Sequence, residues 1–153
     1  MALKSTVYKA LLNIADTDRQ VYGDFPLTIA RHPSETDQRM MLRVAAFALH
    51  ADERLTFGRG ISTTDEPDLW RKDLTGHIEL WIELGNPDPD RLRKACGRSD
   101  AVVAYTYGDR STPVWWQKSR DALERLDKLS IYQVSDSEMA ALEKLCTATM
   151  SLQ

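Results

Sequence analysis

The sequence predicts a mixed α/β fold in a single domain over residues 1–153. After Gly85, strand-like and helix-like segments alternate along the chain, which favours parallel strand pairing. Before Gly85, two pairs of apolar segments are each joined by a turn-rich connection, which indicates antiparallel hairpins. The composition, 42% hydrophobic and 28% charged, is typical of a globular domain with a sizeable core. We therefore expect one mixed sheet with helices packed on it.

The N-terminal segments predict a hairpin and a long helix. Thr6 to Ala15 and Leu27 to Ala30 are the predicted strands, because the segment between them is rich in Asp, Gly and Pro. Residues 31–51 predict the helix, with Ser34 as its N-cap and Glu35 in its first turn, where the helix dipole stabilises an acidic side chain.

The segments that follow give an alternating order of elements. A short strand is predicted at Leu55 to Gly58, then a hairpin within Glu66 to Gly85. Asp88 is the predicted N-cap of the next helix and Pro89 its first residue. After that helix (86–98), the predicted elements are a strand at 101–107, a helix at 112–129, a strand at 130–134 and a last helix at 135–150, which Ser135 or Asp136 opens. The order is β-β-α-β-β-β-α-β-α-β-α.

Charge and cysteine content narrow the functional classes. The net charge of −3 gives no global basic field that would gather nucleic acid without specificity. Cys96 and Cys146 lie on apolar faces of predicted helices, so we expect buried, reduced thiols. The start "MALKSTVYKA" has no signal-peptide pattern and no run of eighteen apolar residues occurs, so we expect a cytoplasmic protein without a membrane partner.

The hairpin "EPDLWRKDLTGHIELWIELG" carries an unusual number of carboxylates. If the turn is Asp73 to Gly76, Leu69 lies opposite Leu80 and Asp68 opposite Trp81. Asp68 then shares one face with Glu79 and Glu83 as diagonal neighbours, with Cβ atoms roughly 7 Å apart.

Two interpretations of this acidic face are open. The carboxylates of Asp68, Glu79 and Glu83 can bind one divalent cation, Mg²⁺ or Mn²⁺, which would relieve their mutual repulsion. Alternatively, the face is a solvated surface that Arg71 and Lys72 partly neutralise. Trp81 lies between the glutamates and needs cover, from the helix at 34–50 or from a ligand.

Several long stretches resemble one family. They are "TIARHPSETDQRMMLR", "HADERLTFGRGISTTDEPDLWRKDLTGHIELWIELGNPDPDRLRKACGR", "VVAYTYG" and "VWWQKS", and they closely resemble the YaeQ family of bacterial proteins over nearly the whole chain. The resemblance implies a variant of the PD-(D/E)XK, restriction-endonuclease-like fold, with an αβββαβ core, an N-terminal β-hairpin and C-terminal helices. Members of the family continue beyond "TMSLQ", so we expect this chain to lack a C-terminal tail or not to include it.

The superfamily pattern assigns candidate site residues. Its proline-preceded acid matches Pro67-Asp68 and its second acid matches Glu83, whereas Gly85 stands where a lysine is expected. In such nucleases the lysine helps to orient or activate water beside the metal ion. Lys94 on the following helix is the first replacement candidate and Lys72 the second.

Further candidates complete the expected site. The first core helix of these folds often contributes an acid, which points to Glu35, although a place in the first helical turn also explains this residue. Arg59, Arg71, Arg91 and Arg98 can form a local basic patch for nucleic acid despite the acidic total.

Two functions are consistent with this sequence. One is a divalent-metal-dependent phosphodiesterase or nuclease with Asp68 and Glu83 as metal ligands, Glu35 or Glu79 assisting and Lys94 orienting water or phosphate. The other is a non-catalytic binding or regulatory protein on a degenerate nuclease scaffold. The sequence contains no tetrahedral Cys/His pattern, no phosphate-binding glycine loop and no G-x-S-x-G motif, which excludes the sites that depend on them.

Overall fold

The computed structural model describes residues 5–153, and in this range it has eight strands and four α-helices. The strands are β1 (Thr6–Asp16), β2 (Val21–Arg31), β3 (Leu55–Phe57), β4 (Leu69–Lys72), β5 (Ile78–Leu84), β6 (Ser99–Tyr107), β7 (Leu129–Val134) and β8 (Thr149–Leu152). The helices are α1 (Asp37–Leu49), α2 (Pro89–Arg98), α3 (Ser111–Leu123) and α4 (Asp136–Glu143), with a 3₁₀ turn at Gly60–Ser62. The mixed α/β class and the predicted order of elements are confirmed, and β8 is an addition.

The chain forms two compact units rather than one sheet with its helices. One unit contains the residues up to Asp52 together with Ala140–Gln153, and the other contains Glu53–Met139. The first has a three-stranded sheet of order β2-β1-β8, and the second has a five-stranded sheet of order β3-β4-β5-β6-β7. The expectation of a single sheet is therefore wrong, because the N-terminal hairpin pairs with the C-terminal strand β8 instead.

In the first unit, β1 and β2 form a long antiparallel hairpin, and β8 pairs with β1 in parallel. Strand β2 begins six residues before the predicted strand and includes Pro26, which is tolerated because β2 is an edge strand. The predicted last helix is too long, since α4 ends at Glu143. Met150 lies in β8, opposite Ala10, and is buried.

Helix α1 begins later than predicted. Its N-cap is Thr36, whose hydroxyl accepts a 3.1 Å hydrogen bond from the backbone N–H of Arg39. The Ser34 hydroxyl instead hydrogen-bonds Nδ1 of His32 at 2.6 Å. Glu35 therefore precedes the helix, and the predicted placement of this residue in the first turn is wrong.

In the second unit, β3, β4 and β5 pair antiparallel, whereas β5, β6 and β7 pair in parallel. This sheet is mixed, as the alternation after Gly85 predicts. Ser135 opens α4, since its hydroxyl accepts from the backbone N–H of Glu138 while the Glu138 carboxylate accepts from the backbone N–H of Ser135. Of the two predicted caps, Ser135 is confirmed.

Helix α2 covers the face of β5 that carries Trp81. The helix has the predicted cap, with the Asp88 carboxylate accepting from the backbone N–H of Asp90 and Pro89 at the first position. Its buried side joins a core cluster that includes Ile78, Trp81, Leu92, Ala95, Cys96 and Val102. Trp81 is thus covered by the chain itself, and the face predicted to be acidic is largely core.

The cysteines lie in two different settings. Cys96 is buried on α2, as predicted, and burial raises the pKa of its thiol. Cys146 is only half-buried and follows the end of α4, so its predicted place on a helix face is wrong. Within residues 5–153, no helix is both long and apolar enough to span a membrane.

Candidate functional site

Strands β4 and β5 pair in a register that differs by two residues from the predicted one. Leu69 lies opposite Ile82 and Trp70 opposite Trp81. Asp68 directly precedes β4, and its backbone N–H donates to the carbonyl of Ile82 on β5 at 3.1 Å. The carboxylate of Asp68 lies within electrostatic reach of Glu83, since its negative charge raises the pKa of that residue.

The shift has two local causes. The hairpin loop has three residues, since Asp73 N–H donates to the His77 carbonyl at 2.9 Å, and Gly76 supplies the positive φ of +91° that such loops require. The register then shifts again between Arg71 and Lys72, where Glu79 is the extra residue on β5. Because the two shifts add up to two residues at Leu69, this end of the hairpin keeps its predicted faces and Asp68 still lies near Glu83. Beyond the extra residue the prediction is wrong, since Ile78 joins the core cluster of Trp81.

Both carboxylates of this pair are buried, with Asp68 2% and Glu83 4% exposed. Oδ2 of Asp68 accepts a hydrogen bond from the backbone N–H of Leu84 at 2.9 Å. The carbonyl of Asp68 accepts from Gly58 N–H at 3.0 Å, and Gly60 packs so closely that a Cβ there would lie 2.3 Å from Oδ1. Two glycines thus fix the position of the aspartate.

Glu83 is held by a tryptophan and an arginine. Its Oε1 accepts from Nε1 of Trp81 and from Nε of Arg91, both at 2.8 Å. Burial is the main reason that the pKa of Glu83 is raised, and the negative charge of Asp68 raises it further, while Arg91 opposes both effects. All described hydrogen bonds of Glu83 fall on Oε1, which leaves Oε2 as the oxygen for another ligand.

Arg91 is the functional candidate whose partner the sequence does not reveal. Its Nη1 and Nη2 donate to the carbonyls of Thr63 and Glu66 at 3.3 and 2.9 Å, so it ties the loop before Asp68 to Glu83. The sequence places Arg91 one turn after the Asp88 cap, but only the packing of α2 on β5 shows which residue it meets.

The other predicted acids have partners of their own. Glu79 accepts from Arg54 at 2.7 Å and from Arg71 at 3.2 Å. Glu35 lies in the first unit, is 3% exposed and accepts from Arg39 and Arg43. The expected cluster of Asp68, Glu79 and Glu83 is not formed: among residues 5–153, no three His, Cys, Asp or Glu side chains are placed to share a metal ion.

The predicted lysines lie at the surface. Lys94 forms a 3.3 Å ion pair with Asp90 one turn before it on α2, and its side chain is 69% exposed. Lys72 places Nζ 3.7 Å from the centroid of the Trp70 ring. Neither contact brings a lysine to Glu83, and Arg91 provides the cation there.

A cleft of about 680 Å³ borders α2 in the second unit. Arg91, Lys94 and Arg98 line it at helical spacing, and Trp81 lies beneath the guanidinium of Arg98, 5.1 Å from ring centroid to Cζ. Asp65, Asp88 and Asp90 line it as well, so its charges balance. Three arginines of the predicted basic patch have carboxylate partners: Arg91 contacts Glu83, Arg71 contacts Glu79, and Arg59 lies 3.8 Å from Glu66.

Comparison with known proteins identifies the family. The YaeQ protein family matches the chain over residues 1–153. The chain belongs to the YaeQ family. It is 47% identical to the Uncharacterized protein YaeQ of Salmonella typhi over 154 residues, which cover all of this chain and 84% of that protein.

Two solved structures of YaeQ proteins show the same fold. The YaeQ protein of Xanthomonas axonopodis pv. citri superposes with a TM-score of 0.91 at 49% identity, over 96% of this chain and 83% of that one. The YaeQ protein of Pseudomonas syringae gives 0.91 at 41% identity, over 96% and 81%. The resemblance drawn from the sequence motifs is thus confirmed at the level of the YaeQ family.

Proposed function

We propose that this YaeQ family member binds one divalent cation, Mg²⁺ or Mn²⁺, through Asp68 and Glu83 and acts on phosphodiester bonds of nucleic acid. The observation that carries the proposal is the carboxylate pair itself, in which Asp68 and Glu83 are both buried and the charge of Asp68 acts on Glu83. Burying two like charges side by side is unfavourable unless a cation compensates them. A site of this kind favours a bound cation.

The donor set fits Mg²⁺ or Mn²⁺. Mg²⁺ keeps several waters and uses one or two protein carboxylates together with substrate phosphates, so a third acidic ligand is not required. Oε2 of Glu83 and the carboxylate of Asp68 supply hard oxygen ligands. A bound cation would neutralise phosphate charge and make water a stronger nucleophile.

Each residue of the site would then have a role that follows from its position. Asp68 and Glu83 hold the cation, and Gly58 and Gly60 keep Asp68 in place. Lys94 lines the adjacent cleft with its ammonium group exposed, where it can bind the scissile phosphate. Lys94 would thus provide the positive charge of the expected lysine, whose position in the sequence is occupied by Gly85.

A second function, non-catalytic cation-dependent binding, is favoured by one observation. Glu83 already has a counter-charge in Arg91, which is the arrangement expected if the site serves stability or binding rather than turnover. Cation binding without hydrolysis would support this alternative.

The test is a phosphodiesterase assay with Mn²⁺ or Mg²⁺ on bis(p-nitrophenyl) phosphate and on single- and double-stranded DNA and RNA. We expect Asp68→Asn and Glu83→Gln to lower the rate at least about 100-fold. Glu79→Gln is the matched control, because Glu79 is a β5 glutamate that contacts arginines outside the pair and should retain activity. Absence of metal-dependent hydrolysis in the unmodified protein would contradict catalysis.

A further inference from the structure

Arg91 joins the carboxylate pair to a neighbouring loop. Nε donates to Oε1 of Glu83 at 2.8 Å, Nη1 to the carbonyl of Thr63 at 3.3 Å and Nη2 to the carbonyl of Glu66 at 2.9 Å. A single side chain therefore holds the end of β5 and both ends of loop 63–66 at once.

Loop 63–66 depends on arginines of α2 for its position. Its carbonyls at Thr63, Asp65 and Glu66 accept from Arg91 and Arg98, the latter at 3.1 Å from Asp65. The loop contains no helix or strand and contributes Thr64 and Asp65 to the wall of the cleft. A segment held mainly by side chains opens at low free-energy cost once those side chains are released.

The guanidinium and a divalent cation would compete for the same carboxylate. Glu83 is buried and carries one negative charge, and the Arg91 guanidinium is already in direct contact with it. A second cation bound to Glu83 would lie within a few ångströms of that guanidinium, where like charges repel strongly because water is largely excluded. A divalent cation alone can compensate the two carboxylates, so the Arg91 guanidinium is not required at Glu83 once that cation is bound.

We infer that Arg91 is an internal counter-cation that a divalent cation displaces from Glu83, and that this displacement releases loop 63–66 and turns the guanidinium toward an anionic ligand in the cleft. The inference rests on the cation site proposed above. It gives binding an order, in which the metal ion precedes the phosphodiester.

The experiment combines calorimetry with Mn²⁺ and hydrogen exchange on the full chain. In the unmodified protein, saturating Mn²⁺ should speed amide exchange in residues 63–66. In Arg91→Gln, exchange in this loop should be fast without Mn²⁺, and Mn²⁺ should bind about tenfold more tightly because no internal cation competes.

Arg98→Gln is the matched control. It removes one arginine contact from the same loop, to Asp65, and leaves the Glu83 contact of Arg91 in place. We expect faster loop exchange in this variant and an Mn²⁺ affinity within about twofold of the unmodified protein. Equal affinity gains in the Arg98 and Arg91 variants would overturn the inference, since loop loosening alone would then explain them.

Further outcomes separate the inference from the proposed function. If Mn²⁺ binds the unmodified chain and Arg91→Gln equally, the competition is wrong but the cation site stands. If neither binds Mn²⁺, the cation site and the inference both fail. If Arg91→Gln does not fold, exchange in the unmodified chain decides: an increase on adding Mn²⁺ supports displacement, and no change or slower exchange overturns it.

Discussion

The carboxylate of Asp68 accepts a 2.9 Å hydrogen bond from the backbone N–H of Leu84, the residue after Glu83. This relationship defines the candidate site because it places two buried acids within electrostatic reach of each other. Arg91 compensates part of their charge. The proposed function requires that a divalent cation compensates the rest of this negative charge.

The first prediction concerns the pKa of Glu83 in metal-free protein. Asp68→Asn removes the negative charge that is the second cause of its raised pKa, so the pKa should fall, though burial should keep it above the ordinary range. Carbon-detected NMR titration with the Glu83 carboxyl assigned measures this in the presence of a chelator. An unchanged pKa in the variant would show that the two carboxylates do not interact.

The second prediction concerns the glycines around Asp68. A Cβ at Gly60 would lie 2.3 Å from Oδ1 of Asp68 and the backbone has φ +46°, so Gly60→Ala should destabilise the fold by about 3 kcal/mol. Gly76→Ala is the control, because φ is +91° there but no atom lies within 4 Å, and it should cost about 1 kcal/mol. Urea unfolding measures both. Equal costs would mean that the approach to Asp68 is not tight.

The hairpin that contains Gly76 also shows which structural features the sequence does not predict. The alternation of apolar residues places Asp68 on the side of the hairpin where Glu83 lies, and the two carboxylates do interact, since the charge of Asp68 raises the pKa of Glu83. Register depends on a three-residue loop closed at Gly76 and on the extra residue Glu79, and counting along the hairpin reveals neither. Counting along the hairpin therefore places Glu79 beside Asp68, whereas Glu79 contacts Arg54 and Arg71 instead.

Contacts between side chains that are far apart in the sequence are the second feature that the sequence does not predict. Arg91 reaches Glu83 and the Thr63 carbonyl because α2 packs on β5, and no local pattern in the sequence encodes that crossing. Likewise, β8 forms only because β1 offers it an edge far away in the chain. The helix caps at Asp88 and Ser135 were predictable because their hydrogen bonds join residues two or three positions apart.

The third prediction concerns Glu35, the further acid expected at the site from the sequence. Its carboxylate is buried and accepts from Arg39 and Arg43, so Glu35→Gln should leave buried guanidinium charge uncompensated and cost about 3 kcal/mol or more. The exposed pair of Arg120 and Glu124 provides the comparison, and Glu124→Gln should cost less than about 0.5 kcal/mol. Thermal or urea unfolding measures both variants. A small effect for Glu35→Gln would contradict a structural role.

The fourth prediction is a pH dependence of stability at the hairpin turn. The hydrogen bond to Asp100 is the main cause of the raised pKa of His77, and the negative charges of Asp100, Asp73 and Glu79 act in the same direction. Because the folded state holds this proton more tightly, the contribution is fully present below the unfolded pKa of about 6.5 and is lost as pH rises through the folded value.

Melting temperatures of the unmodified protein and Asp100→Asn at pH 5.5 and pH 8.5 test this dependence. Asp100→Asn removes the main partner of His77, so the variant should melt below the unmodified protein at pH 5.5. The gap should become smaller at pH 8.5, where the imidazole is neutral. A gap of the same size at both pH values would show that the pair does not depend on protonation.

Calorimetric titration of the metal-free protein with Mn²⁺ tests the central claim most directly, with Asp68→Asn, Glu83→Gln and the control Glu79→Gln measured in parallel. The account predicts one Mn²⁺ per chain, binding retained in Glu79→Gln and lost in the other two variants, because only Asp68 and Glu83 are ligands. Absence of binding to the unmodified protein, or equal binding in all four, would contradict it.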